Sequence, residues 1–127
     1  MSGLLLDTSI LVGADDPGRL RGAISAASLA ELYFGALAAG DPEERAHRTQ
    51  RLGVIESAFD PFPLDETVAR EWGRLAAAVA ARGGQPRRRT MDLAIAATAN
   101  VQGVPLLTVD TADLAIVGDL VSLRIPE

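Results

Sequence analysis

Four carboxylates stand beside apolar runs. Asp7 ends Leu4-Leu5-Leu6, Glu31 lies among Leu29, Leu32 and Phe34, Asp92 opens the apolar stretch Leu93 to Val101, and Asp110 closes Leu106 to Val109. Asp113 follows one turn later. Each acid has a local explanation. Asp7 and Asp110 are placed to be helix N-caps, Glu31 to be the reciprocal partner of Ser28 in an S-x-x-E capping box, and Asp92 to meet a helix dipole in its first turn. Brought together, the same acids have a chemistry that caps lack. Clustered carboxylates repel and protonate unless a cation sits among them, and hard divalent ions with oxygen ligands fill that role. With no cysteine and a single His47, the donor set favours Mg²⁺ or Mn²⁺ over zinc.

Composition removes the main competitors. The basic residues number 12 and all are arginine, so phosphate chemistry that relies on a lysine ammonium, Walker-type nucleotide binding included, is excluded. A receiver domain or a haloacid-type phosphatase also carries acids at strand ends. Both normally need that lysine, and the phosphatase needs an aspartate where Ser9 stands. No G-x-G occurs for a dinucleotide. The absence of cysteine removes disulfide frameworks and thiol nucleophiles. No apolar run nears the ~18 residues of a membrane span, and Met1 to Asp7 carries no positive side chain, so a cytoplasmic location is expected.

Whether the acids meet depends on the elements that carry them. A length of 127 residues with 48% hydrophobic and 23% charged side chains predicts one domain, 1–127, with its own core. Gly3 to Leu6 reads as a buried strand, Ile10 to Ala14 as a helical turn, Asp15 to Gly18 as a turn and Gly22 to Ala26 as a second strand. The capping box at Ser28 predicts a helix from about Leu29 to Ala39, stopped by Gly40. Pro42 opens the next helix, which presents Glu43, Glu44, Arg45, Arg48 and Arg51 to solvent and ends near Phe59. Asp65 caps a helix with the stripe Val68, Trp72, Leu75 and Val79, which makes Trp72 core or interface. After Gly83-Gly84, Thr90 opens a helix apolar nearly all round and therefore central. Leu106 to Val109, Asp110 to Ile116 and Ser122 to Ile125 follow as strand, short helix and strand. Alternating strands and helices predict an α/β fold of three layers, α/β/α, around a mainly parallel sheet. Ligands of such sheets bind at the carboxyl ends of the strands, where these acids lie.

Leu4-Leu5-Leu6-Asp7-Thr8-Ser9, Ala30-Glu31-Leu32 with Gly35, Asp92 to Ala99, and Leu107-Thr108-Val109-Asp110 with Asp113-Leu114 resemble, in order, the motifs of PIN-domain proteins, specifically VapC-type toxins. The resemblance implies a PIN-like fold and a metal-dependent endoribonuclease that leaves 5′-phosphate and 3′-hydroxyl ends. It further implies a VapB-type antitoxin partner and a homodimer. It matches Asp7, Glu31 and Asp92 to the family's acids and Thr8, Ser9 and Thr108 to polar residues near the metal. Many relatives carry Asn where Asp110 stands, so the fourth acid is Asp110 or Asp113, and Asp110, nearer the strand end, is preferred. Asp7, Asp92 and Asp110 are the expected metal ligands, with Glu31 orienting water.

Net charge is −5 and rises to −1 when the four acids are set aside, so the rest of the surface is nearly neutral toward RNA. Arg87, Arg88 and Arg89 directly precede the Asp92 helix and are candidates to hold flanking phosphates. Tyr33, Phe34, Leu52, Ile55 and Phe59 are candidates for an antitoxin groove, or simply for core. The competing reading is a non-catalytic α/β binding module whose acids are caps. His47, alone on a charged helix, is given no role.

Overall fold

The computed structural model describes residues 3–127; Met1 and Ser2, the start of the segment expected to lack a targeting signal, lie outside the described residues. Three strands, β1 (Leu5–Leu6), β2 (Leu106–Leu107) and β3 (Leu123–Arg124), form a parallel sheet in the order β1-β2-β3. Leu5 pairs with Leu106 and Leu6 with Leu107, while Leu106 pairs with Leu123. Successive side chains of a strand point to opposite faces. Leu5 and Leu106 accordingly enter one core with Leu75, Val79, Leu93, Ile95 and Val117, and Leu6 enters another with Ile10, Leu11, Ile24 and Ile55. Helices α4 (Glu66–Ala81) and α5 (Thr90–Gln102) supply the first core, and α1 (Thr8–Gly13) and α3 (Pro42–Ala58) the second. That places helices on both faces, the three-layer α/β arrangement. Each fully buried Leu or Ile contributes roughly 2 kcal/mol of hydrophobic stabilisation.

The predicted strand at Gly22 to Ala26 shrinks to two single parallel bridges, Leu5 with Ala23 and Ser25 with Phe62. Gly22 has φ 145°, where a Cβ would come within 2.9 Å of the Leu4 carbonyl oxygen, and a helix begins at Ala26, so little extended chain remains between. That helix, α2 (Ala26–Leu37), starts three residues before the predicted Leu29 and ends before Ala39. Its N-cap is Ser25, whose Oγ accepts from the Ala27 N–H at 3.0 Å. Ser28 therefore lies inside the first turn, and the predicted capping box does not form. Ala26 N–H donates to the Phe62 carbonyl and Thr98 Oγ1 to Ser25 Oγ, which pins the cap one turn earlier.

Elsewhere local chemistry prevails. Asp41 and Pro42 start α3, Asp65 caps α4 through the Val68 N–H at 3.0 Å, and Gly103 at φ 70° closes α5. All seven residues from Leu93 to Ala99 are buried, which makes α5 the central helix. Trp72 is half-buried against the first core, and its Nε1 donates to the Thr90 carbonyl at the start of α5.

Candidate active site

Asp7 stands immediately beyond β1 and Thr108 immediately beyond β2, so parallel pairing of these neighbours brings together residues 101 apart in sequence. Asp7 is buried and its Oδ2 accepts three hydrogen bonds: from Ser9 Oγ at 2.6 Å, Thr108 Oγ1 at 2.9 Å and the Ser9 N–H at 3.3 Å. The last of these makes Asp7 the N-cap of α1. Ser9 Oγ also accepts from the Val109 N–H, and Thr108 Oγ1 from the Asp110 N–H at 3.0 Å, so the two strand ends form one polar network.

Glu31 reaches the same edge from α2. Thr8 Oγ1 donates to its Oε1 at 2.6 Å. Asp92, in the first turn of α5, is half-buried, and its carboxyl is pushed up to about 6, first by desolvation and then by the negative charges of Asp113, Asp7 and Glu31. Arg89 opposes the shift without cancelling it. A cleft of about 410 Å³ is lined by Asp7, Thr8, Ser9, Val12, Gly13, Glu31, Asp92 and Asp110. Asp113 is absent from that lining; it accepts from Arg89 at its carbonyl and pairs with the same guanidinium at 3.8 Å.

Capping explains one acid of four. Asp110 precedes the 3₁₀ turn Thr111–Val117 without a side-chain cap bond, Glu31 bonds Thr8 in place of a backbone N–H, and Asp92 stands in the first turn of α5 as expected for an acid facing the helix dipole, yet its carboxyl is pushed up to about 6. The donor set is all hard oxygen. Among the described residues no three acidic, histidine or cysteine side chains stand close enough to hold one ion together. The fit is thus to an ion held by one or two carboxylates and completed by water, the usual habit of Mg²⁺.

The basic triplet divides. Arg87 and Arg88 are exposed, whereas Arg89 is half-buried and engaged by Asp113. The aromatic and aliphatic set divides as well. Phe34 is 74% and Tyr33 43% exposed, with Tyr33 donating to Glu56, while Leu52 and Ile55 are buried and Phe59 packs on the second core. Leu52 and Ile55 form part of the floor of a groove of about 610 Å³ between α1, α2 and α3, which shares Thr8, Val12, Gly13 and Glu31 with the acidic cleft. His47, Arg48 and Arg51 line this groove. Arg51, read from sequence as solvated, donates to the Leu11 carbonyl at 2.7 Å and the Ala14 carbonyl at 2.9 Å, closing the C-terminus of α1. No local signal marks Arg51, because its acceptors lie about 40 residues away.

A larger depression of about 720 Å³ lies at the opposite sheet edge, beside Val104, Pro105 and Ser122. Its charges are mutually satisfied: Arg74 donates to both oxygens of Glu71 and holds that carboxyl below its ordinary range, and Asn100 also donates to Glu71. The unrelieved charge is at the other edge, and chemistry there outweighs size here.

The PIN domain family model matches residues 4–119. The chain is 37% identical over 123 residues to Ribonuclease VapC5 of Mycobacterium tuberculosis, covering 90% of this chain and 87% of that protein. It is 34% identical over 123 residues to Ribonuclease VapC4 of the same organism, covering 91% and 92% respectively. Among solved structures it is similar to the crystal structure of VapBC-5 from Mycobacterium tuberculosis, a member of the VapBC family of toxin-antitoxin systems, with a TM-score of 0.75, 35% identity and 98% of each chain covered.

Proposed function

This chain belongs to the PIN-domain family, and from that premise we propose that it is a ribonuclease toxin of the VapC type, a Mg²⁺- or Mn²⁺-dependent endoribonuclease neutralised by a VapB-type antitoxin. One observation carries the proposal: Asp7, Glu31, Asp92 and Asp110 line one cleft, in which desolvation first and the neighbouring carboxylates second push the Asp92 carboxyl up to about 6.

Of Asp7, Asp92 and Asp110, one or two would hold the ion directly and the rest would reach it through water; when bound it would supply a positive charge against the phosphoryl oxygens and acidify a water molecule. The chain's own groups supply the positioning. Three donors on Oδ2 leave Asp7 one carboxylate oxygen for the cleft and lock its rotamer. Thr8 holds one oxygen of Glu31, leaving the other to orient the attacking water and accept its proton. Attack at phosphorus in line with the 3′-oxygen would break the P–O3′ bond, the leaving 3′-oxygen would take a proton from solvent water, and the products would carry 5′-phosphate and 3′-hydroxyl ends. Arg87 and Arg88, exposed and one turn before Asp92, would hold flanking phosphates, with Arg89 structural by its bond to Asp113.

For the antitoxin, Phe34 and Leu37 of α2, 74% and 70% exposed, form the apolar face to be covered, with Leu52 and Ile55 in the groove floor beyond. A homodimer is part of the same proposal. The test is an RNA cleavage assay in Mg²⁺ or Mn²⁺ with an EDTA control, comparing the wild type with Asp7→Ala and Asp92→Ala. Cleavage abolished by chelation and by either substitution is expected; undiminished cleavage in both variants refutes the assignment.

A further inference from the structure

Ser28 is left without a purpose once the helix is seen to start at Ala26. It is not the N-cap, a role filled by Ser25, and its side chain is wholly buried. A buried hydroxyl is costly unless bonded, and a serine within a helix ordinarily turns back to a carbonyl of the preceding turn. Ser28 Oγ is bonded, but not to such a carbonyl. Its partner is Thr8 Oγ1, 20 residues earlier on α1, at 3.1 Å.

The same Thr8 hydroxyl is 2.6 Å from Glu31 Oε1. A threonine has one proton to donate, and an ionised carboxylate can only accept, so the shorter, charge-assisted bond takes the Thr8 proton. Ser28 Oγ, 3.1 Å away, is the second hydrogen-bond partner of the same hydroxyl. Ser28 and Glu31 are three residues apart and share a face of α2, so one helix holds Thr8 from both sides. Burial falls outward along this path, from the enclosed Ser28 to the half-buried Thr8 and Glu31 at the cleft.

The geometry points to Ser28 as a positioning residue that fixes the Thr8 hydroxyl and, through it, the Glu31 carboxylate at the cleft. The inference rests on the reading of Glu31 as part of an RNA-cleaving site. Without Ser28, Thr8 loses the second partner that sets its rotamer, and Glu31 loses orientation without losing charge or access to RNA. The effect therefore falls on turnover rather than on binding.

The test is a double-mutant cycle of Ser28→Ala and Thr8→Val, read in two ways. With a fluorophore-quencher RNA oligonucleotide in Mn²⁺, Ser28→Ala is expected to lower kcat roughly 5-fold with KM unchanged, and to add less than about 2-fold in the Thr8→Val background. In EDTA, each single substitution is expected to lower the melting temperature by about 2 to 4 °C, and the double substitution by less than the sum. Additive losses in both readouts, or an unchanged kcat in Ser28→Ala, would overturn the inference. A wild type that cleaves no RNA in either metal counts against the nuclease reading alone, and the melting cycle then decides whether Ser28 acts through Thr8.

Discussion

Replacing Asp92 with Asn should stabilise the metal-free protein while destroying its activity. In the fold this carboxyl titrates near 6 against an ordinary 3.8, because desolvation and the charges of Asp113, Asp7 and Glu31 all disfavour its ionised form. Two pKa units correspond to about 3 kcal/mol at ~1.4 kcal/mol each. The side chain is only half-buried, and screening by solvent reduces that to about 1 to 1.5 kcal/mol. The sign follows from linkage. The folded state binds this proton more tightly than the unfolded one, so the group's contribution is most favourable below about pH 4, is lost as pH rises to about 6, and is level above. Asn has no proton to lose. Urea unfolding in EDTA should show Asp92→Asn more stable than the wild type at pH 7.5, with the gap closing as the pH approaches 4. Added Mn²⁺ should raise the melting temperature of the wild type more than that of the variant. A variant equal to or weaker than the wild type at pH 7.5, or a gap independent of pH, would refute the electrostatic reasoning.

Arg51→Ala should cost about 1 to 2 kcal/mol in urea unfolding, since it strips a charge-assisted donor from the Leu11 and Ala14 carbonyls at the end of α1. Arg87→Ala with Arg88→Ala should weaken RNA binding and flatten its salt dependence by up to about one unit of log-log slope for each phosphate no longer neutralised, without shifting the melting temperature, as measured by fluorescence anisotropy at several ionic strengths. An unchanged slope would remove both residues from the RNA surface. Phe34→Glu should abolish capture of the antitoxin in a pull-down with the purified partner while leaving RNA cleavage within about 2-fold of wild type, because the side chain is exposed on α2 outside the acidic cleft.

Much of the fold was legible because its signals are local. Seven apolar or small residues in a row at Leu93 to Ala99 can only be a buried helix, and Pro42 and Asp65 begin helices by their own geometry. The errors occur where local options compete. Ser25 and Ser28 are equally able to cap a helix, and the choice is made by Phe62 and Thr98, which hold Ser25 and the start of α2 from other parts of the chain. The predicted strand at Gly22 to Ala26 gives way for the same reason, once the helix claims Ala26.

The candidate site divides along the same line. The amino-acid order alone places Asp7 and Asp110 at the ends of apolar runs and Asp92 at the head of the buried helix, since burial of the neighbouring segment carries each acid to an edge. Folding alone decides which edge-facing groups become one another's partners: Arg89 with Asp113, Arg51 with the end of α1, Ser28 and Glu31 with Thr8. Hydrophobic pattern is additive along a chain and can be read residue by residue. A hydrogen bond is a directional choice among competing partners, fixed only when distant segments have packed.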